Sequence, residues 1–268
     1  MIKTLLTILS FPILSRAYGC LVRIRRPRPL ISLIIKQFSR IYNIDMADYP
    51  GSVRDYPSLL DFFVRPLNPE TRALKNDPDS FLSPADGVLA DLQEIDKDSA
   101  AQVKGWQYRV SELTGKQENW KKGWWLAVIY LSPSNYHRYH YPMDSRLDSF
   151  THLGNRLFPV NRAGITFIKN LFIRNERVTA SFTARSYNFH LVAVGATFVG
   201  SIKMKDHPAP FTPGRTVNMN CKANQNQEMG RFEMGSTIVI LLPRDMATPL
   251  LTPGSEIKTG EPLFKLSC

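Results

Sequence analysis

Beyond residue 80 the apolar residues of this chain come in runs of strand length rather than at helical spacing, and that pattern constrains the fold first. The runs are FLSPADGVLADLQEI (81–95), WWLAVIYLSP (124–133), GITFIKNLFIRNERVTASFTA (164–184), FHLVAVGATFVGSIKM (189–204), GRFEMGSTIVILLP (230–243) and PGSEIKTGEPLFKL (253–266). Gly, Pro, Asn and Ser punctuate them, the residues that end strands and make turns. Pro84 and Gly87 set a turn before the first run with Asp86 between them, Asn175–Arg177 reads as a hairpin tip, and the polar stretch 205–229, with three prolines, reads as loop. Before residue 80 the spacing is helical, with YPSLLDFFVRPL forming a short apolar-faced helix. The expected fold is α+β: a predominantly antiparallel β core with an N-terminal helical, membrane-associating segment. Dinucleotide fingerprints, phosphate loops, repeats and nucleic-acid modules are missing from the sequence.

The charge is as uneven as the periodicity. Of a net +11, the first forty residues carry +8, from Lys3, Arg16, Arg23, Arg25, Arg26, Arg28, Lys36 and Arg40, with no acid among them. The apolar run at 4–15 is twelve residues long, short of the ~20 that span a bilayer, and the basic cluster behind it resists export. Leu30, Ile31, Ile34, Ile35, Phe38, Ile41 and Tyr42 then recur at three- and four-residue steps. Such a helix either lies in a membrane interface, cations toward anionic headgroups, or packs on the core of its own protein; the two are compatible, and peripheral binding to an anionic membrane surface is the expectation. Residues 1–48 are read as this basic, apolar segment and 49–268 as a single β-rich catalytic domain, a length that one core can serve. Cys20, Cys221 and Cys268, odd in number and without metal spacing, are read as free thiols in a reducing compartment.

SPSNYHRYHYP (132–142) holds His137 and His140, two of five histidines, and lacks a third ligand at metal-binding spacing, so no metal is expected. Asp86, His140 and Ser236 supply the residue types of an activated hydroxyl: a serine needs a base to take its proton, and a carboxylate can orient that base. Any chain of this size offers such trios, and EMGSTIV lacks the G-x-S-x-G elbow of ordinary esterases. Gly235 and Ser236 lead into a buried strand only 33 residues from the end, and the residue types alone leave open whether they form a turn or do chemistry.

DFFVRPL (61–67), SPADGV (83–88), YHRYHYP (136–142), LFPVN (157–161), NLFIRNERV (170–178), VGATFVGSI (194–202) and EMGRFEMGSTIVILL (228–242) together resemble the phosphatidylserine decarboxylases, in the family's order. Met234 departs from the leucine or glycine usual there. The resemblance implies a proenzyme that cuts its own Gly235–Ser236 bond, giving a β chain of 235 residues and an α chain of 33, and converts Ser236 into a covalent pyruvoyl cofactor. It casts Asp86, His140 and Ser236 as the self-cleavage group and His137 as the residue that transfers a proton or positions the substrate carboxylate. The implied reaction takes phosphatidylserine to phosphatidylethanolamine and carbon dioxide through a Schiff base on the pyruvoyl group. It also implies a peripheral protein on the cytoplasmic face of the cell membrane, admits a homo-oligomer of the αβ unit, and involves no nucleic acid. Two other classes compete: a lipid-directed serine hydrolase with Ser236 unprocessed, and a non-enzymatic basic peripheral membrane protein.

Overall fold

A computed structural model describes residues 18–102, 106–160, 162–196, 202–205, 207, 212, 214–233 and 235–267. The apolar run at 4–15 with Lys3 and Arg16, residues 197–201 of VGATFVGSI, Met234 and Cys268 lie outside them. After a helical stretch at 18–22 come two helices, α1 (Arg28–Ile41) and α2 (Leu59–Phe63). Proline sits in the first turn of α1, where a missing N–H costs nothing. Ser58 caps α2 by accepting from the Asp61 N–H. There follow β1 (Ser80–Leu82), β2 (Gly87–Ile95), β3 (Ala100–Gln102), β4 (Trp106–Tyr108), α3 (Val110–Thr114), β5 (Trp124–Leu131), β6 (Arg138–His140) and β7 (Ser145–Leu153). The chain continues through α4 (Arg162–Phe167), α5 (Leu171–Arg174), β8 (Arg177–Ala184), β9 (Tyr187–Gly195), β10 (Ile202–Met204), β11 (Thr216–Ala223) and β12 (Glu228–Phe232). It closes with β13 (Ser236–Pro243), β14 (Ala247–Pro249), β15 (Glu256–Ile257) and β16 (Pro262–Leu266).

One antiparallel sheet of eight strands, ordered β11-β7-β8-β9-β13-β5-β2-β15, forms the body. The apolar run of β13 is central to it and buried throughout. Ile238, Ile240 and Leu242 pack on one face with Phe81, Tyr139 and Phe264, while Val239 and Leu241 pack on the other with Val128, Phe158 and Leu171. A strand covered on both faces needs no polar alternation, which is why β13 reads as an unbroken run. Each of those side chains contributes about 1.5–3 kcal/mol by burial, so the start of β13 is held firmly.

Smaller sheets flank it, β1-β16-β14 and β10-β12-β6. β5 reaches β6 through residues 132–137, and β12 reaches β13 through 233–235. Because β5 pairs antiparallel with β13 and β6 with β12, these two links run side by side at one corner. The Phe232 N–H donates to the His137 carbonyl there, at 2.9 Å.

The fold class agrees with the expectation, while three local expectations do not survive. The run at 164–184 begins as α4 and α5 and turns extended only at Arg177. Asn175 is no hairpin tip: it is fully buried, its amide bonded to both backbone groups of Phe158 and to the Gly195 carbonyl. The hairpin between β8 and β9 turns instead at Arg185 and Ser186, both at positive φ (48° and 68°), the twist a two-residue hairpin requires. The stretch read as loop at 205–229 contains β11, whose alternating exposure matches Val217, Met219 and Cys221 set between polar neighbours.

The N-terminal helix packs on its own protein, as one of its readings expected, and leaves an apolar side uncovered. Ile31 and Ile35 are buried against Ile44, Tyr56 and Phe62, while Leu30, Leu33, Ile34 and Ile41 stand 41–72% exposed. Arg23 forms an ion pair with Glu233, so the basic segment touches the β12–β13 link. Among the described residues no helix is long and apolar enough to cross a membrane. Cys20 and Cys221 are free thiols.

Candidate active site

Ser236 opens β13, paired with Leu131 on β5 and Gly195 on β9. It is fully buried, and its Oγ has no hydrogen-bond partner among the described residues. An orphaned buried hydroxyl is costly, by about 1–3 kcal/mol; Thr179, Thr237 and Thr259 carry others, and that of Ser236 is set apart by its place directly after Gly235. Gly235, just before it, is half-buried at the corner where the two links meet. The first link carries His137, whose carbonyl accepts from the Phe232 N–H, while His140 lies at the other end of β6, paired with Glu228.

His140 ends β6. Its Nδ1 lies 2.6 Å from the Asn226 carbonyl oxygen, which can only accept, so Nδ1 holds the proton and Nε2 the lone pair. The Tyr136 hydroxyl donates to that Nε2 at 2.9 Å. Burial pushes the imidazole below its ordinary pKa, against upward pulls from the Asn226 carbonyl, Glu228 and Asp86, and so favours the neutral base. Burial raises the pKa of Tyr136, keeping it a phenol.

His137 repeats the arrangement with one difference. Its Nδ1 donates to the Asn135 carbonyl at 2.8 Å, but its Nε2 is buried with no hydrogen-bond partner among the described residues. The ring lies against Phe63, centroids 3.9 Å apart. Burial, with the nearby Arg65 charge, lowers its pKa to about 3, against opposite pulls from the Asn135 carbonyl and Asp86. His137 is therefore a neutral acceptor at neutral pH.

Asp86 stands at the turn before β2, brought to the Leu131 end of β5 because Val88 pairs with Tyr130. Gly87 is required beside it, since a Cβ there would come 2.3 Å from the Tyr130 carbonyl oxygen. The expected orienting hydrogen bond from Asp86 to His140 is not made. The carboxylate accepts instead from both terminal nitrogens of Arg72, at 2.8 and 2.5 Å, and from the Thr259 N–H at 2.8 Å. A bidentate guanidinium outbids a neutral imidazole for a carboxylate. Despite burial these partners hold Asp86 below the usual carboxylate range, so it stays ionised. Asn226 does the orienting of His140 that the sequence suggested for Asp86.

Tyr136, Asn226, Arg65 and Arg72 were not singled out from sequence. Tyr136 and Arg65 lie inside YHRYHYP and DFFVRPL, where a signal existed, whereas Asn226 acts through its backbone, which no residue type reveals. Among the described residues no cluster of three or more His, Cys, Asp or Glu side chains could hold a metal. A cleft of about 390 Å³ opens beside Asp86, lined also by Ser132, Ser134, Asn135 and Lys258.

Comparison with known proteins agrees with this geometry. A family model described as phosphatidylserine decarboxylase matches residues 59–265. A phosphatidylserine decarboxylase proenzyme of Alkalilimnicola ehrlichii is 37% identical over 260 residues, covering 92% of this chain and 89% of its own. That of Nitrosococcus oceani is 36% identical, over 88% of this chain and 82% of its own. The Bacillus subtilis proenzyme is 31% identical, over 85% and 84%. With identity above 30% across most of both chains and a family model over residues 59–265, the chain belongs to the phosphatidylserine decarboxylase family.

Proposed function

We propose that this proenzyme cuts its own Gly235–Ser236 bond and that Ser236 becomes the pyruvoyl group with which it decarboxylates phosphatidylserine to phosphatidylethanolamine. The observation that carries the assignment is the buried, unpartnered Ser236 hydroxyl next to Gly235. It also argues against a hydrolase, whose serine must meet an outside substrate, since Ser236 has no exposure in the uncut chain.

In this reading Ser236 Oγ attacks the Gly235 carbonyl carbon and its proton passes to Nε2 of His140, the lone-pair nitrogen. The Tyr136 hydroxyl must release Nε2 as this happens. Asn226 keeps the ring oriented by accepting from Nδ1–H. Asp86 acts at a distance: its fixed negative charge raises the pKa of His140 and so favours the imidazolium that forms. The N–C bond of the amide gives way to an ester on Ser236, elimination across the Ser236 Cα–Cβ unit frees the β chain as its carboxylate, and water hydrolyses the enamine left on the α chain to the ketone with release of ammonia.

The residues fit the group that results, because it would be built from Ser236 atoms that are already enclosed, and a buried acceptor, His137 Nε2, stands on the link that runs beside 233–235. Once formed, the ketone supplies an electron sink that stabilises the charge left on carbon as carbon dioxide departs. His137 Nε2, neutral and unpartnered among the described residues, accepts a hydrogen bond from the headgroup ammonium and relays its proton as the amine becomes nucleophilic, without storing it.

Acting on a membrane phospholipid, the enzyme works at a membrane surface. Its docking segment is residues 1–48, on a catalytic domain of 49–268; the segment's cations and the exposed side of α1 favour an anionic, cytoplasmic leaflet, as do the free Cys20 and Cys221. A homo-oligomer of the αβ unit is compatible with this arrangement. Intact-mass analysis tests the central claim. The expected α chain starts at position 236, resists Edman sequencing and is lighter by one ammonia than a serine-started fragment. An active fragment with an intact serine amine would end the proposal.

A further inference from the structure

Arg65 is the most deeply buried cation of the described chain that no carboxylate accompanies. Its side chain has no exposure, and among the described residues no acid forms an ion pair with it. A charge so placed is expensive unless it is used. Its Nη1 donates to the Phe62 carbonyl at 3.2 Å, and its Nη2 to the Ser134 carbonyl at 2.8 Å. The guanidinium lies 4.0 Å from the Tyr49 ring centre and 5.0 Å from that of Phe62. The fork therefore ties the end of α2 to the link between β5 and β6. Ser134 immediately precedes Asn135, whose carbonyl accepts the His137 Nδ1 proton. Phe63, inside the same α2, presses on the His137 ring.

We propose that Arg65 is a positioning residue for His137: its buried fork pins the Ser134–Asn135 backbone against α2 so that Nε2 is presented bare, and its unpaired charge faces the imidazole. This rests on the reading of His137 as the proton-handling group in turnover. The charges that face His137 are Arg65 from α2 and Asp86 from the turn before β2, and Asp86 is already committed to Arg72. Arg65 therefore supplies the uncompensated positive field. Burial is the larger cause of the depressed His137 pKa, and Arg65 adds to it in the same direction.

The test is turnover of matured enzyme on phosphatidylserine in detergent micelles, compared at about pH 7.5 and about pH 5.5, the range an ordinary histidine spans. The parent, with His137 neutral throughout, keeps a ratio of the two rates that this residue does not set. Arg65→Met removes charge and fork together; with the Ser134–Asn135 backbone released, water reaches the ring and the burial penalty falls as well, so the acid limb should rise into this window and the ratio grow by at least about threefold. Arg65→Lys keeps the charge and loses one of the two bonds, so turnover should fall equally at both pH values and the ratio should stay at the parent's. In a His137→Gln background, Arg65→Met should no longer change the ratio. An unchanged ratio in Arg65→Met, or a change that persists without His137, overturns the proposal. If Arg65→Met does not fold, Arg65→Lys decides: a displaced limb overturns the role, and uniform loss upholds it. Parent-like turnover of His137→Gln by itself would strike the reading of His137, a separate failure.

Discussion

His137 precedes and His140 ends the same three-residue strand, and both have their Nδ1 proton locked onto a backbone carbonyl, yet their surroundings differ. At His140 the lone pair is covered by a tyrosine hydroxyl, and Glu228 and Asp86 both raise its pKa. At His137 the lone pair is bare, pressed by Phe63 and faced by Arg65, and the pKa falls to about 3. The first setting suits a base that must become an imidazolium once, during maturation. The second suits an acceptor that must be neutral at the start of every turnover. One short strand thus presents the same side chain in two electrostatic environments, and the difference comes from α2 on one side and the 224–227 turn on the other.

Removing the groups assigned to the cut should have the largest effect. Ser236→Ala and His140→Ala should each leave a single full-length chain on a denaturing gel with no decarboxylation, while Ser236→Cys, which keeps a nucleophile, should be cut slowly. Normal processing of His140→Ala would dissolve the contrast between the two histidines. His137→Ala should still be cut, at least in part, and then release labelled carbon dioxide about 10²–10⁴-fold more slowly, the usual worth of a general acid–base group. Parent-like turnover would remove His137 from the reaction.

Tyr136→Phe sharpens the comparison by baring the His140 Nε2 and making it resemble that of His137. A hydrogen bond of about 1 kcal/mol no longer has to be released, so self-cleavage should speed up, by less than about tenfold. Loss of all cleavage would mean that the hydroxyl, rather than the imidazole, carries the proton. The depressed pKa of His137 also reaches stability. Its folded value, about 3, lies below the ordinary 6.5, so the unfolded chain binds the proton first. The stabilisation is whole above about pH 6.5 and is lost as pH falls toward 3, with a slope of up to about 1.4 kcal/mol per pH unit. Urea midpoints across that window should fall in the parent and fall less steeply in His137→Gln; equal slopes would contradict the burial of a neutral ring. The smallest effect is expected of the N-terminal segment, which acts on attachment rather than on the bond that is cut. Deleting 1–40 should weaken sedimentation with anionic liposomes and its salt sensitivity. Unchanged sedimentation of the folded deletion protein would deny the segment its docking role.

Much of this arrangement was legible in the residues. β2, β5 and β13 follow from apolar runs bounded by turn formers, and α1 from spacing at three and four. Local chemistry misled where tertiary contacts overrode it. NER at 175–177 has the composition of a turn, but Asn175 is buried as a clamp between Phe158 and Gly195. The prolines of 205–229 drew attention from the alternation of Val217, Met219 and Cys221, which did announce β11. At the site, Asp86, His137, His140 and Ser236 could be chosen by residue type and motif, but their hydrogen-bond partners could not.

The sequence by itself determined a β-rich chain, a basic apolar N-terminal segment, and a Gly–Ser pair at the mouth of a buried strand, because periodicity, charge and turn propensity are local properties. Only the tertiary structure decided that Arg72, not His140, takes the Asp86 carboxylate. It alone decided that the Asn226 and Asn135 carbonyls set the two imidazole tautomers, and that Arg65 is buried beside His137 without an acid. These outcomes depend on which backbone carbonyls and charges the folded chain brings within about 3 Å, and hydrogen bonding and desolvation act only at that range.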